Sequence, residues 1–174
     1  MPESSKTKDI GFRIRFAEEE DAPILLTLID ELAQYEKLQS QVETTEQLLW
    51  ESIFHRKAAE ALIGELNGEA IGYAIFYQNF SSFTARPGLF VEDIYVKPHL
   101  RRMGFGKLFF AFMAKVAVER GYARMEWNCL DWNTPSITFY KKMGAQAMLE
   151  WTMYRLAGKS LEVIANQRTP EDFG

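Results

Sequence analysis

Cysteine is nearly absent: Cys129 stands alone among 174 residues, which excludes an intramolecular disulfide and any site built on several thiolates. Histidine is as scarce, with only His55 and His99, well separated in the chain; no metal centre is expected from them. No apolar run approaches the roughly twenty residues that a membrane-spanning helix needs. The opening stretch MPESSKTKDIG carries no apolar core of the kind a secretory leader has. A cytoplasmic protein with no membrane partner is therefore expected. Positive charge is not in excess either, the formal net charge being −4, so a general nucleic-acid partner is not expected. The two common phosphate-binding patterns, G-x-x-x-x-G-K-[ST] and G-x-G-x-x-G, do not occur.

What is present is concentrated in one stretch, Gly88 to Gly106, reading GLFVEDIYVKPHLRRMGFG. Leu89 to Val96 is rich in β-branched and aromatic residues and predicts a buried strand. Pro98 ends it, because proline offers no ladder donor and restricts its predecessor. A basic turn with two glycines follows, and the apolar run Leu108 to Val118 then predicts a helix. Strand, basic glycine turn and helix together make an anion cradle. The helix N-terminus presents unpaired N–H groups and partial positive charge. Gly104 and Gly106 permit close approach of a bulky anion, and Arg101, Arg102 and Lys107 add charge.

The rest of the chain suits one α/β domain built around a mixed sheet, because strands and helices alternate. Residues 1–10 read as a disordered tail and 11–174 as the domain. Phe12 to Ala17 predicts the first strand, and Asp21 caps a helix with apolar positions Ile24, Leu25, Leu28, Ile29 and Leu32. A second helix is expected over Glu46 to Phe54. Glu60 to Leu66 and Ala70 to Tyr77 flank Asn67-Gly68, a strong hairpin signal. Gln78 to Pro87 reads as a loop. After the central helix, stopped by Gly121, Arg124 to Leu130 predicts a fifth strand. Asn133 caps a fourth helix that has Pro135 in its first turn and Gly144 at its end. One or two strands are expected in Gln146 to Ala157, with a last helical turn over Ser160 to Gln167.

Several residues stand out chemically. Glu92 and Asp93 are consecutive acids within an apolar strand, where acids are depleted and costly to bury unpaired. Either they carry chemistry, or one turns to solvent at a bulge while the other pairs with a basic side chain. Tyr140 is either a core aromatic at helical spacing or a proton donor. A mildly acidic protein with one basic turn suggests two sites of opposite preference, one for an anionic cofactor and one for a cationic substrate.

Arg101-x-x-Gly104-x-Gly106 matches the [RQ]-x-x-G-x-[GA] signature of the GNAT superfamily of acetyl-CoA-dependent N-acetyltransferases. Four further segments resemble its spermidine/spermine and thialysine acetyltransferase branch: Glu31 to Leu38, Val91 to Val96, Leu130 to Asn133, and Phe139 to Ala145. The resemblance implies acetyl-CoA as cofactor and a domain with splayed parallel fourth and fifth strands, flanked by about four helices. It implies that the cofactor is held by the backbone of Ile94, Tyr95 and Val96, by the turn Arg101, Arg102, Met103, Gly104, Phe105, Gly106 and Lys107, and by Asn133, Thr134, Pro135, Ser136 and Tyr140. It further implies that Glu92 accepts the amine proton and Tyr140 protonates the departing thiolate. The acceptor amine is expected against Tyr35, Glu36, Glu92, Asp93, Glu126, Trp127 and Asn128. Homodimers are usual in this branch, and the apolar segment Trp151 to Ala157 is the expected contact region.

The chain departs from its polyamine-specific relatives in one stretch. Where they carry a run of acids, Met148 to Met153 has only Glu150. A thialysine or short diamine is thus expected in preference to a long polyamine. The rival readings are transfer to a peptide or protein amine, and a sensor that binds acyl-CoA without catalysis.

Overall fold

The computed structural model describes residues 11–167. These form two compact units divided after Asn128. The first holds a five-stranded sheet in the order β1-β2-β3-β4-β5. Its strands are β1 (Phe12–Phe16), β2 (Glu60–Leu66), β3 (Glu69–Ser81), β4 (Arg86–Val96) and β5 (Met125–Trp127). The first four pair antiparallel, and β4 pairs with β5 in parallel.

Helix α1 (Ala22–Glu36) and the short α2 (Glu46–Leu49), which continues as a π-helical turn over Trp50–His55, cover one face. Leu25 and Leu28 pack there with Ile53, Phe54, Ile63, Tyr73, Ile75 and Tyr95. Helix α3 (Phe105–Glu119) covers the other face. Phe12 meets Phe105 at 4.5 Å and Phe109 at 6.4 Å between ring centroids, and Phe16 meets Phe112 at 5.8 Å. Six buried apolar residues of α3, from Phe105 to Ala117, supply the hydrophobic stabilisation of this layer. Past Glu119 the helix is stopped by a Schellman motif, in which Tyr122 N–H bonds to Ala117 O and Gly121 N–H to Val118 O.

The Asn67-Gly68 hairpin forms as expected, with both residues at positive φ (52° and 87°), the signature of a type I′ turn. Three other expectations are corrected. Gln78 to Pro87 is not a loop: β3 runs on to Ser81, β4 starts at Arg86, and the ladder includes Asn79↔Gly88 and Phe80↔Pro87. Proline is tolerated there because it lies near the start of its strand. Asp21 occupies the N-cap position of α1 without capping it. Its carboxylate instead accepts from Arg15 Nη1 and Nη2 at 2.6 and 2.8 Å and from Glu18 N–H at 2.8 Å; a bidentate guanidinium is a stronger partner than a lone amide. The fifth strand is shorter than expected and stops at Trp127.

The second unit, described by itself, contains α4 (Thr134–Lys142) and α5 (Gly158–Ala165). Asn133 caps α4 as expected, its side chain accepting from Ser136 N–H at 3.3 Å. The strands expected in Gln146 to Ala157 do not form among the described residues. A strand requires a partner for its backbone groups, and this segment has only a local turn from Trp151 N–H to Met148 O. Its aromatic and aliphatic side chains remain exposed, Leu149 and Tyr154 at 91% each. The last helical turn is a full two turns, α5.

Candidate active site

The β3–β4 ladder contains one irregularity, and it falls at the acidic pair. Ile75 pairs with Asp93 while its neighbour Phe76 pairs with Val91, so Glu92 is an extra residue, a β-bulge. Directly paired residues share a face and neighbours on a regular strand take opposite faces. Asp93 thus shares the α1 face with Ile75, and Val91 shares the α3 face with Phe76. Without the bulge Val91 and Asp93 would lie on the same side.

The bulge also re-aims the backbone. Leu89 N–H points to the β5 edge, bonding Arg124 O, whereas Lys97 N–H points to β3, bonding Ile71 O. Both are odd-numbered, so the direction has reversed between them. Ile94 and Val96 consequently aim their backbone groups toward the β5 side. Among the described residues that pairing ends at Val91↔Trp127, and β4 continues five residues further. The splay expected between the fourth and fifth strands is this divergence.

Glu92 is exposed at the bulge, and Asp93 is turned inward. Asp93 accepts a hydrogen bond from the phenol of Tyr73 at 3.2 Å. That partner is a phenol rather than the basic side chain the sequence suggested. Burial, then the charge of Glu92, then that of Glu36 push the Asp93 carboxyl up to about 6, against the bond from Tyr73. Burial also raises Glu36, at the end of α1. Tyr73, fully buried, is held well above its ordinary value by burial and by Asp93. Tyr95 donates to Glu31 at 3.0 Å, and burial with that bond pushes its phenol up to about 12. Asp93 thus lies in the negative field of Glu92 and Glu36, a field that favours an incoming cation.

Beyond β4 the basic turn begins with a short 3₁₀ segment, Pro98–Leu100. Arg102 takes a left-handed φ of 67° and Gly104 a φ of 94°, which glycine alone adopts without strain. Gly104 is the N-cap of α3, whose first turn contains no acid. Gly106 has ordinary helical geometry, and a Cβ added there would meet nothing within 4 Å. Neither backbone conformation nor packing requires glycine at 106. Open space above unpaired helix N–H groups suits a pyrophosphate, so the turn fits the phosphate end of a coenzyme A.

The other expected residues are placed as follows. Glu126 accepts from Asn79 Nδ2 at 2.8 Å and pairs with Arg124 Nε at 2.9 Å, so its charge is already matched. Trp127 packs edge-on against Phe110 at 4.9 Å, and Asn128 is exposed after β5. In the second unit, Asn133 is buried at the start of α4, Thr134, Pro135 and Ser136 form its first turn, and Tyr140 lies in its last part with its ring 5.6 Å from that of Phe139.

Comparison with known proteins bears on the whole of this arrangement. Residues 25–145 match the acetyltransferase (GNAT) family. The chain belongs to that family. It is 36% identical to a thialysine N-ε-acetyltransferase of Bos taurus, over 88% of this chain and 97% of that one. It is 31% identical to an L-ornithine N5-acetyltransferase of Arabidopsis thaliana, over 94% and 92%. A solved integron cassette protein from V. cholerae has the same fold, with a TM-score of 0.75 at 20% identity over 90% of this chain and 99% of that one.

GNAT acetyltransferases use acetyl-CoA, and this GNAT enzyme transfers an acyl group to an amine. Tyr35, Glu36, Glu92 and Asp93 are residues the sequence singles out; Tyr73 and Glu31, which bond to Asp93 and Tyr95, are not. For Glu31 a signal existed: it stands four residues before Tyr35, hence on the same helix face. Tyr73 gave less warning, being one aromatic within a strand that alternates regularly.

Proposed function

We propose that this GNAT enzyme acetylates the primary amine of a small cationic substrate, a thialysine or short diamine, by direct attack in a ternary complex. The observation that carries the reading is the inward-turned Asp93 on the α1 side of β4, bonded to Tyr73 and with the charges of Glu92 and Glu36 bearing on it. An ammonium relieves their repulsion, and relatives named for thialysine and ornithine act on amines of that size. The single acid in Met148 to Met153 disfavours a longer polyamine.

Bound acetyl-CoA supplies the acetyl group as an activated thioester. Backbone N–H groups from Arg102 to Lys107 would hold its pyrophosphate, and the backbone of Ile94 and Val96 would bind its arm. Glu92, exposed at the bulge, takes the proton that the ammonium must lose before its nitrogen can attack. The Tyr140 phenol would supply the proton that the departing thiolate takes up. Asn133, Thr134, Pro135 and Ser136, at the N-terminus of α4, add further cofactor contacts. In this reading the enzyme is a cytoplasmic homodimer, joined through the exposed apolar segment around Trp151 and Tyr154.

The test is thiol release from acetyl-CoA with thialysine, lysine, ornithine, putrescine, spermidine and spermine. Strong turnover with thialysine, ornithine or putrescine and little with spermine is expected. Preference for spermine would refute the substrate assignment. Acetylation of peptides alone, or bound acetyl-CoA with no acceptor, would replace the reading by one of its rivals.

A further inference from the structure

The side chain of Arg101, the first residue of the phosphate turn, is engaged with β4 and α1. Arg101 Nε–H donates to Val96 O at 3.0 Å. Its guanidinium carbon lies 4.0 Å from the centroid of the Tyr35 ring and 5.6 Å from that of Tyr95. The side chain is thus folded back along β4 to the end of α1, away from the solvent-facing part of the turn where Arg102 and Lys107 are exposed.

We propose that Arg101 is a positioning residue for the amine side of the site, fixing Tyr35 and the last turn of α1 against β4. Three contacts converge on this role. A planar guanidinium stacks on an aromatic face in a way an ammonium cannot. The bond to Val96 O sets the angle of that plane. Tyr95, the second ring it faces, is tied by its phenol to Glu31, one turn before Tyr35 on α1. Arg101 therefore joins the open edge of β4 to the helix end that carries Tyr35 and Glu36. Its positive charge is spent on two ring faces and a carbonyl, while the cradle proper consists of N–H groups, Gly104 and Gly106. The signature position is thus the point where the cofactor turn and the amine wall are built from one side chain.

The inference rests on the acetyl-transfer reading for its amine half only. Acetyl-CoA binding by calorimetry, which needs no turnover, is compared for wild type, Arg101→Ala and Arg101→Lys. The expected dissociation constants lie within about twofold of each other, because the guanidinium is held on the Tyr35 and Tyr95 rings rather than over the N–H groups of the turn; a loss of tenfold or more in both variants would overturn the proposal. In turnover assays the amine KM is expected to rise roughly tenfold in Arg101→Ala, with little recovery in Arg101→Lys. Tyr35→Leu is expected to give a similar rise, and Arg101→Ala/Tyr35→Leu no more than either alone, since both remove one contact. Multiplying effects, or an unmoved amine KM, would overturn it. Should Arg101→Ala fail to fold, Arg101→Lys and Tyr35→Leu decide the same question. A wild-type enzyme that binds acetyl-CoA but acetylates none of the amines would defeat the functional reading alone, and the calorimetry would still show whether Arg101 belongs to the phosphate turn.

Discussion

The phenol of Tyr73 donates to the carboxylate of Asp93 across 3.2 Å, on the face of the sheet that α1 covers. The pair is adjacent strands' solution to a difficult placement: an acid held inside, with one neutral donor and two more acids nearby.

A pH-dependent stability difference follows from it. Folded protein keeps the Asp93 proton up to about pH 6, whereas an unfolded aspartate releases it near pH 4. Below about pH 4 both states are protonated, and stability is lost as pH rises through 6. Asp93→Asn, which keeps an acceptor for Tyr73, is expected to be more stable than wild type at pH 7.5, by on the order of 2 kcal/mol. The gap should close toward pH 4. Paired urea unfolding curves at the two pH values check this, and a gap that persists at pH 4 would contradict it.

The opposite sign is expected at Asp21. Its carboxyl is held low by the Arg15 bonds, against the effect of burial. Arg15 reaches Glu65 as well, at 2.8 Å, and Arg13 joins on the other side. This stability is present above the unfolded aspartate range and is lost as pH falls below it. Asp21→Ala is expected to cost about 2 kcal/mol at neutral pH, less than a fully buried pair because Arg15 is partly exposed. Thermal unfolding at pH 7 and pH 3 measures it, and the gap between mutant and wild type should narrow at the lower value, as the Asp21 carboxyl begins to take up its proton.

Gly104 and Gly106 should separate folding from binding. Gly104→Ala forces a side chain into a φ of 94° and is expected to cost about 1–2 kcal/mol. Gly106→Ala meets nothing, and within a helix alanine gains up to about 1 kcal/mol over glycine. Acetyl-CoA binding is expected to be kept in Gly106→Ala, because the signature position accepts either residue, and to fall by about tenfold or more in Gly106→Glu, whose carboxylate fills the cradle and repels the phosphates. Melting temperature and a cofactor titration on the three variants give both readings. Unchanged affinity in Gly106→Glu would remove the pyrophosphate from that turn.

Tyr140→Phe is expected to lower turnover by about a hundredfold with acetyl-CoA affinity kept, the scale of general acid catalysis. Steady-state rates beside a binding titration distinguish this from loss of packing. Turnover equal to wild type would take the phenol out of the mechanism.

The amino-acid sequence by itself determined the parts that depend on neighbours in the chain. The turn at Asn67-Gly68, the cap at Asn133, the stop at Gly121 and the strand–turn–helix around Gly104 follow from φ preferences and from side chains reaching a few residues away. The family was legible for the same reason, since its signature is one contiguous turn. What the tertiary structure decided depends on partners distant in sequence. Asp21 left its capping role because Arg15 lies on β1 beside it, and Gln78 to Pro87 became ladder because two flanking segments face each other. The bulge at Glu92 cannot be read from β4 alone, because it is a mismatch in count between two strands. That mismatch turns Asp93 inward to Tyr73 and sends the backbone of Ile94 and Val96 to the open edge, so the candidate site owes its shape to register, a property of the paired strands and of neither sequence separately.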